Sequence, residues 1–170
     1  MPKRQSTWSK QIGREMAKSE AEKHKNRYTR MLKEFRALDY SKALGKVQKT
    51  LQELVRIERA NDEGWLKTCC CGKEVRWNGG DCQGGHYRDR QHSGTTIVPD
   101  NVWPICVNHN HYEKSQGVVL LRKWMVENLG EDRVNELDAM KSKSYLLEVL
   151  VEKRLKWMDE IAEHKKRIGE

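Results

Sequence analysis

Five cysteines crowd into 38 residues near the middle of this chain, and they constrain its folding more than any other feature. They are Cys69, Cys70, Cys71, Cys82 and Cys106. An odd number with three adjacent makes a poor disulfide framework, and a reducing compartment would keep them as thiols. Metal ligation is the better reading. Zinc takes four tetrahedral sulfur or nitrogen ligands, commonly from two close pairs far apart in sequence. Cys106-x-x-His109 is one such pair, and Cys69 with Cys71 are the best candidates for the other. Cys70 and Cys82 stay open as alternatives, and each cysteine taken singly could be a small buried hydrophobe. A structural zinc at such a site would staple a stretch too poor in apolar residues to fold well alone.

The flanks read differently. Residues 8–60 are rich in helix formers and contain no proline. Leu44, Val47, Leu51 and Leu54 form a helical stripe, and Met31, Phe35 and Leu38 continue it upstream. Gly45 and the Leu38-Asp39-Tyr40-Ser41 step predict a break, hence two helices. The stripe needs a cover, either the C-terminal helix or a second subunit. Within 64–110, Glu74-Val75-Arg76-Trp77, Asn78-Gly79-Gly80 and Asp81 to Tyr87 predict a hairpin, because Asn-Gly supplies the positive φ of a tight turn. An irregular loop follows, about Arg88 to Asp100. Helix returns with Val118, Leu121, Met125 and Leu129, stopping at Gly130. Val134, Leu137 and Met140 predict a short helix, and Leu147, Val151, Leu155, Met158 and Ala162 a last one. Three segments result: a helical arm over 1–63, a core over 64–130 and C-terminal helices over 131–170.

Hydrophobic residues make up 36% and charged residues 34%, with a single Phe, which suits a small core with exposed helices. No apolar run reaches the roughly 18 residues of a membrane span, and no apolar stretch follows the basic start MPKRQSTWSK. A soluble, cytoplasmic protein with no membrane partner is expected. The formal charge of +8 is unevenly placed. Residues 1–50 carry 14 Lys and Arg against 5 Asp and Glu, whereas 51–170 carry 19 against 20. Such an arm suits a polyanion, since each basic group set on a phosphate releases a condensed counterion. A solvated helix using lysine for solubility is the plainer alternative.

The reactive groups lie beside the cysteines. His86 ends a strand next to a loop, where an imidazole can take a proton from water near neutral pH. Gly84 and Gly85 before it would allow close backbone approach to a phosphate. Asn110 follows the Cys106/His109 pair, and an amide oxygen suits Mg²⁺, which binds few protein groups and keeps its waters. Together these parts could deliver hydroxide to phosphorus and stabilise a leaving 3′ oxygen.

At these residues the chain resembles a known family. Asn101-x4-Cys106-x2-His109-Asn110 is similar to the second half of the HNH nuclease motif. Gly85-His86-Tyr87-Arg88, Asn110, Lys114-Ser115-x-Gly117 and Leu129-Gly130-Glu131-Asp132-Arg133-Val134 resemble the phage recombination endonucleases of the NinG/Rap type. The resemblance covers about residues 65–140 and leaves the helical flanks outside. It implies an α+β fold with a small zinc-stabilised ββα-metal (HNH) core flanked by long helices. It further implies Mg²⁺- or Mn²⁺-dependent phosphodiester cleavage in branched or single-strand-containing DNA. Position by position, His86 becomes the general base and Asn110 a catalytic-metal ligand. Asn101 would hold the loop that orients the histidine, and Cys71 and Cys106 match zinc ligands. The chain departs from the pattern at Thr68, where the first cysteine of a Cys-x-x-Cys pair would stand, and at His109, which replaces a cysteine. Gly85 stands where many relatives place an acidic or histidine metal ligand, which leaves the second Mg²⁺ ligand unassigned, with Asp81 and Asp89 as candidates.

Three functions follow from this reading. The first is an endonuclease acting on Holliday junctions, D-loops or flaps, in the cytoplasm of a host cell if phage-encoded. Paired cuts at a junction would call for a homodimer. The second is an HNH nicking enzyme of another phage pathway. The third is a zinc-stabilised DNA-binding module without catalysis, which would need neither His86 nor Asn110.

Overall fold

The computed structural model describes residues 7–89 and 91–170, and only the backbone of residues 7–11 and 13. Lys3 and Arg4 of the expected basic arm, and Arg90 of the expected loop, lie outside the described residues.

Two long helices open the chain, α1 (Thr7–Arg36) and α2 (Tyr40–Glu58). They part at the Leu38-Asp39-Tyr40-Ser41 step, because Asp39 is extended (φ −61°, ψ 146°) and cannot continue the α1 spiral; Gly45, also expected at the break, lies inside α2. Two antiparallel pairs follow: β1 (Trp65–Lys67) with β2 (Glu74–Arg76), and β3 (Cys82–His86) with β4 (Val102–Cys106). A 3-10 turn over Pro99–Asn101 leads into β4, and a π-turn over Asn108–Tyr112 leads out of it. The chain ends in α3 (Lys114–Leu129), α4 (Glu131–Ala139) and α5 (Leu147–Arg167). The architecture is α+β, mostly helical, with two small sheets. No helix among the described residues is long and apolar enough to cross a membrane.

The expected hairpin across Asn78-Gly79-Gly80 does not form. β2 pairs backwards onto β1, with Leu66 opposite Val75, and β3 pairs forwards onto β4, with Cys82 opposite Cys106. The cysteine knuckle itself closes the first pair, with Gly72 at φ +65° and its N–H on the Thr68 carbonyl. The Asn-Gly-Gly step therefore joins two sheets. The positive φ expected of Asn-Gly is absent there, falling at Gly72 instead, and burial chose the partners: Leu66, Val75 and Trp77 all enter one core.

That core is the larger of two. It gathers Phe35, Val47, Leu51 and Ile57 from the first helices with Leu150, Val151, Leu155, Trp157 and Ile161 from α5. The upstream stripe is thus covered by α5 within the same chain. The expected face of α5 is partly misplaced. Met158 and Ala162 are exposed, and Trp157 and Ile161 are buried instead. Both α1 and α2 pack on this helix, so its buried face is broader than a single stripe. The smaller core holds Tyr87, Trp103, Leu121, Met125, Val134 and Leu137. Strand β4 stands between the two, with Val102 in the larger core and Trp103 in the smaller, as the period-2 alternation of a strand requires.

Residues 14–26 of α1 are all exposed, so the helix leaves the body over that stretch. Arg14, Lys18, Lys23 and Lys25 there interleave with Glu15, Glu20 and Glu22. Nearer the body, Arg27 pairs with Asp159 at 2.8 Å and Lys46 with Glu34 at 2.6 Å. Part of the basic excess is thereby neutralised within the fold.

Candidate metal centre and adjoining cleft

The knuckle between β1 and β2, the end of β4 and the π-turn converge on one point. There the ligand atoms of Cys71, Cys106 and His109 lie within 4.8 Å of one another. The two sulfurs are 3.6 Å apart, and His109 Nδ1 is 2.9 Å from Cys106 Sγ. Metal–ligand distances near 2.0–2.3 Å give tetrahedral edges of about 3.5–3.8 Å. The sulfur pair matches such an edge, while His109 Nδ1 lies closer to Cys106 Sγ than an edge and would have to draw back about half an ångström on binding. The soft donor set suits zinc, so the residue types fit the metal implied by the resemblance. His109 Nε2 faces the Glu113 carboxylate at 3.5 Å, which sets the ring with Nδ1 toward the sulfurs.

Of the four residues expected to ligate, three come together and Cys69 is not among them. The Cys69 N–H donates to the Pro104 carbonyl, and the side chain packs against the smaller core. Burial pushes its thiol up to about 12. Cys70 donates to the Gly117 carbonyl at 3.4 Å and is likewise pushed by burial to about 12. Cys82 sits in the larger core, and burial raises it to about 11. Cys71 behaves oppositely. Burial acts to raise it, but hydrogen bonds from Thr68, the Lys73 amide and Cys106, with the Lys73 charge, outweigh burial and lower it. Burial raises Cys106. Of the three adjacent cysteines, the exposed one is the one whose ionisation is made easier.

Against this centre lies a cleft of about 510 Å³, lined by residues that include His86, Asp89, Asn110, His111 and Lys114. Three residues singled out from sequence, His86, Asn110 and Asp89, thus share one concave surface. His86 Nε2 is 3.0 Å from the Thr96 carbonyl. A carbonyl only accepts, so Nε2 carries the proton and Nδ1 is the basic nitrogen. Asn110 Nδ2 donates to Gln83 Oε1 at 2.5 Å, and its Oδ1 faces Gly85. Asp89 pairs with Lys114 at 2.8 Å. Asp81 lies elsewhere, paired with Lys73 at 3.1 Å.

Asn101 is fully buried and does not line the cleft. Its Oδ1 accepts from the Arg88 N–H at 2.8 Å, and its Nδ2 donates to the Arg88 and Thr95 carbonyls, both at 3.1 Å. It ties the loop after β3 to the turn before β4, one residue from the carbonyl that holds His86.

The two glycines before His86 have a packing role that sequence reasoning did not assign. A Cβ on Gly84 would stand 2.7 Å from Gln52 Cβ of α2, and one on Gly85 would stand 2.3 Å from Ile105 Cγ2. With Ile105 at its place in β4, position 85 has no room for an acidic side chain. Gly117 is similarly required, since a Cβ there would meet the His109 carbonyl oxygen at 2.3 Å. That contact seats the π-turn against α3. Sequence reasoning also missed His111, which lines the cleft, and Gln83, which accepts from Asn110 beside it. A π-turn, a common feature of functional sites, was not legible from helical periodicity.

Comparison with curated proteins and with solved structures finds no match. The family model described as "Bacteriophage Lambda NinG protein" matches residues 2–167, so the similarity extends through both helical flanks and not only over 65–140. With a match over nearly its whole length, the chain belongs to the bacteriophage lambda NinG protein family.

Proposed function

We propose that this protein is a metal-dependent DNA endonuclease whose reacting groups lie in the His86 cleft, with a structural zinc at Cys71, Cys106 and His109. The observation that carries the reading is the placement of His86. Its Nε2–H is held by the Thr96 carbonyl in a cleft that also contains Asn110, Asp89 and Lys114. The antiparallel β3–β4 pair followed by α3 supports a ββα-metal assignment.

In this mechanism His86 Nδ1 takes the proton from an attacking water. Asn110 Oδ1 and the Asp89 carboxylate are hard oxygen donors suited to Mg²⁺ or Mn²⁺. A divalent ion held there supplies positive charge to the phosphate and to the departing 3′ oxygen. Lys114 Nζ holds the Asp89 carboxylate at the cleft. Asn101 fixes the loop that carries the Thr96 carbonyl. The substrate is branched DNA of a phage recombination pathway, with the basic residues of the first 50 positions on its phosphates. Paired cuts at a four-way junction call for a homodimer on the substrate.

The experiment is cleavage of a four-way junction, a flap and a linear duplex at equal concentration with Mg²⁺. His86→Ala should lose about 10²- to 10⁴-fold in rate, the usual worth of a general base, while keeping its metal content and junction binding. Asn110→Ala should recover part of its activity at raised Mg²⁺ or Mn²⁺, and His86→Ala none. Cleavage by His86→Ala at the parent rate would sink the nuclease reading. A DNA-binding module without catalysis is then the reading to take, and one observation already favours it: Ile105 bars an acidic ligand at Gly85.

A further inference from the structure

The zinc implied for this fold is usually pictured with four protein ligands, and the geometry here points elsewhere. Among the described residues, the group of possible metal ligands contains Cys71, Cys106 and His109 and no fourth Cys, His, Asp or Glu. The other cysteines are committed. Cys70 Sγ is bonded to the Gly117 carbonyl, Cys69 packs in the smaller core, and Cys82 lies in the larger one. The remaining corner has a distinct neighbour. Thr68 is 2% exposed, and its Oγ1 lies 3.4 Å from Cys71 Sγ. Its backbone closes the knuckle on both sides, through Thr68 N–H to the Lys73 carbonyl and Gly72 N–H to the Thr68 carbonyl. The hydroxyl is thus fixed beside the sulfur, where it can hold a small ligand of the ion by a hydrogen bond.

We infer that this is a centre of two thiolates and one imidazole, whose fourth position is taken by a water held by the Thr68 hydroxyl. Zinc sites with three protein ligands and a fourth exogenous one are a recognised class, distinct from closed sulfur-rich structural sites. An open corner lets the ion exchange and lets an added anion or thiol bind it. Glu113 is the positioning residue, because its carboxylate faces His109 Nε2 and fixes the ring with Nδ1 toward the metal. The inference rests on the metal assignment of the proposed function but not on the nuclease activity.

The test uses the full chain and needs no DNA. Zinc X-ray absorption should show two sulfur and two lighter ligands. In the Co²⁺-loaded protein, the thiolate charge-transfer band should have the intensity of two sulfurs. Thr68→Cys should raise that band by half and tighten zinc binding in competition with a chelator. Cys69→Ser and Cys70→Ser should leave the band unchanged. Glu113→Ala should keep the band but weaken zinc binding about 10- to 100-fold, the usual worth of an outer partner. Three or four sulfurs in the parent protein, or loss of band intensity in Cys69→Ser, would overturn the inference. So would a Thr68→Cys protein that folds with an unchanged band. If Thr68→Cys fails to fold, the ligand count of the parent protein decides the matter alone.

Discussion

The two cores of this molecule are built on different physical grounds. The larger, between α1, α2 and α5, is held by area: Phe35, Val47, Leu51, Ile57, Leu150 and Val151 are all wholly buried aliphatic or aromatic side chains. The smaller, around α3 and α4, has fewer such residues and is bordered by polar joints. Arg88 donates to the carbonyls of Leu137 and Met140 at the end of α4, Asn101 clasps the β3–β4 loop, and the Cys/His group ties the knuckle to the π-turn. Every side chain proposed for chemistry lies on the second side. A region that presents a histidine, an amide oxygen and a carboxylate at a cleft cannot also be filled with leucine, so directional bonds replace area there.

The largest test of this contrast removes the metal. In small zinc modules at neutral pH the ion contributes on the order of 10 kcal/mol of folding free energy. Cys106→Ser should therefore release the metal and remove hydrogen-exchange protection over residues 68–72 and 106–112. Protection in α2 and α5 should survive. Equal loss in both regions would show that the cores fold as one unit, and unchanged protection would remove the metal from the account. The mirror substitution is Leu51→Ala, in the larger core. It should cost about 2–5 kcal/mol, a lost transfer energy plus a cavity, and leave metal stoichiometry at that of the parent protein.

A smaller effect separates positioning from chemistry. Asn101→Ala leaves the Arg88 amide and the Arg88 and Thr95 carbonyls without their side-chain partner. Buried polar groups left unsatisfied cost about 1–3 kcal/mol each before relaxation or water entry. Stability measured by denaturant should fall by about 2–3 kcal/mol. Metal content should hold, because the Cys/His group lies on the far end of β4. Cleavage should fall with it, since the carbonyl orienting His86 belongs to the residue after Thr95.

Legibility in the sequence follows the same division. Helices announced themselves wherever one face is buried against a neighbour: α2, α3 and α4 lie where the leucine and valine spacing put them. Strand pairing was not legible, because the partners of β2 and β3 depend on which core receives Leu66, Val75 and Cys82. Residue type singled out His86, Asn110 and Asp89, which line one cleft. Of the cysteines, Cys71 and Cys106, matched by the resemblance, do cluster with His109, and Cys69 does not. Residue type alone could not separate Cys69 from Cys71; the reversal at Gly72 turns Cys71 toward Cys106.

The finest test of the comparison is a single hydroxyl on the smaller core. Tyr87 is buried, and its phenol donates to Asp138 Oδ2 at 3.1 Å, tying β3's exit to α4. Burial, then the Asp138 hydrogen bond and charge, push its ionisation above the ordinary tyrosine value. The folded value therefore exceeds the unfolded one of about 10. The contribution of this group is fully present below about pH 10 and is lost as pH rises toward the folded value. At neutral pH, Tyr87→Phe should lower stability by about 0.5–1.5 kcal/mol, the net worth of one hydrogen bond. Above about pH 10 the parent should lose this advantage, because its unfolded tyrosine ionises first and the phenylalanine variant has nothing to ionise. The gap between the two proteins should narrow with rising pH in denaturation curves. A gap that stays constant from pH 7 to 11 would mean that the phenol contributes through packing alone, and that this corner of the smaller core is held by area like the larger one.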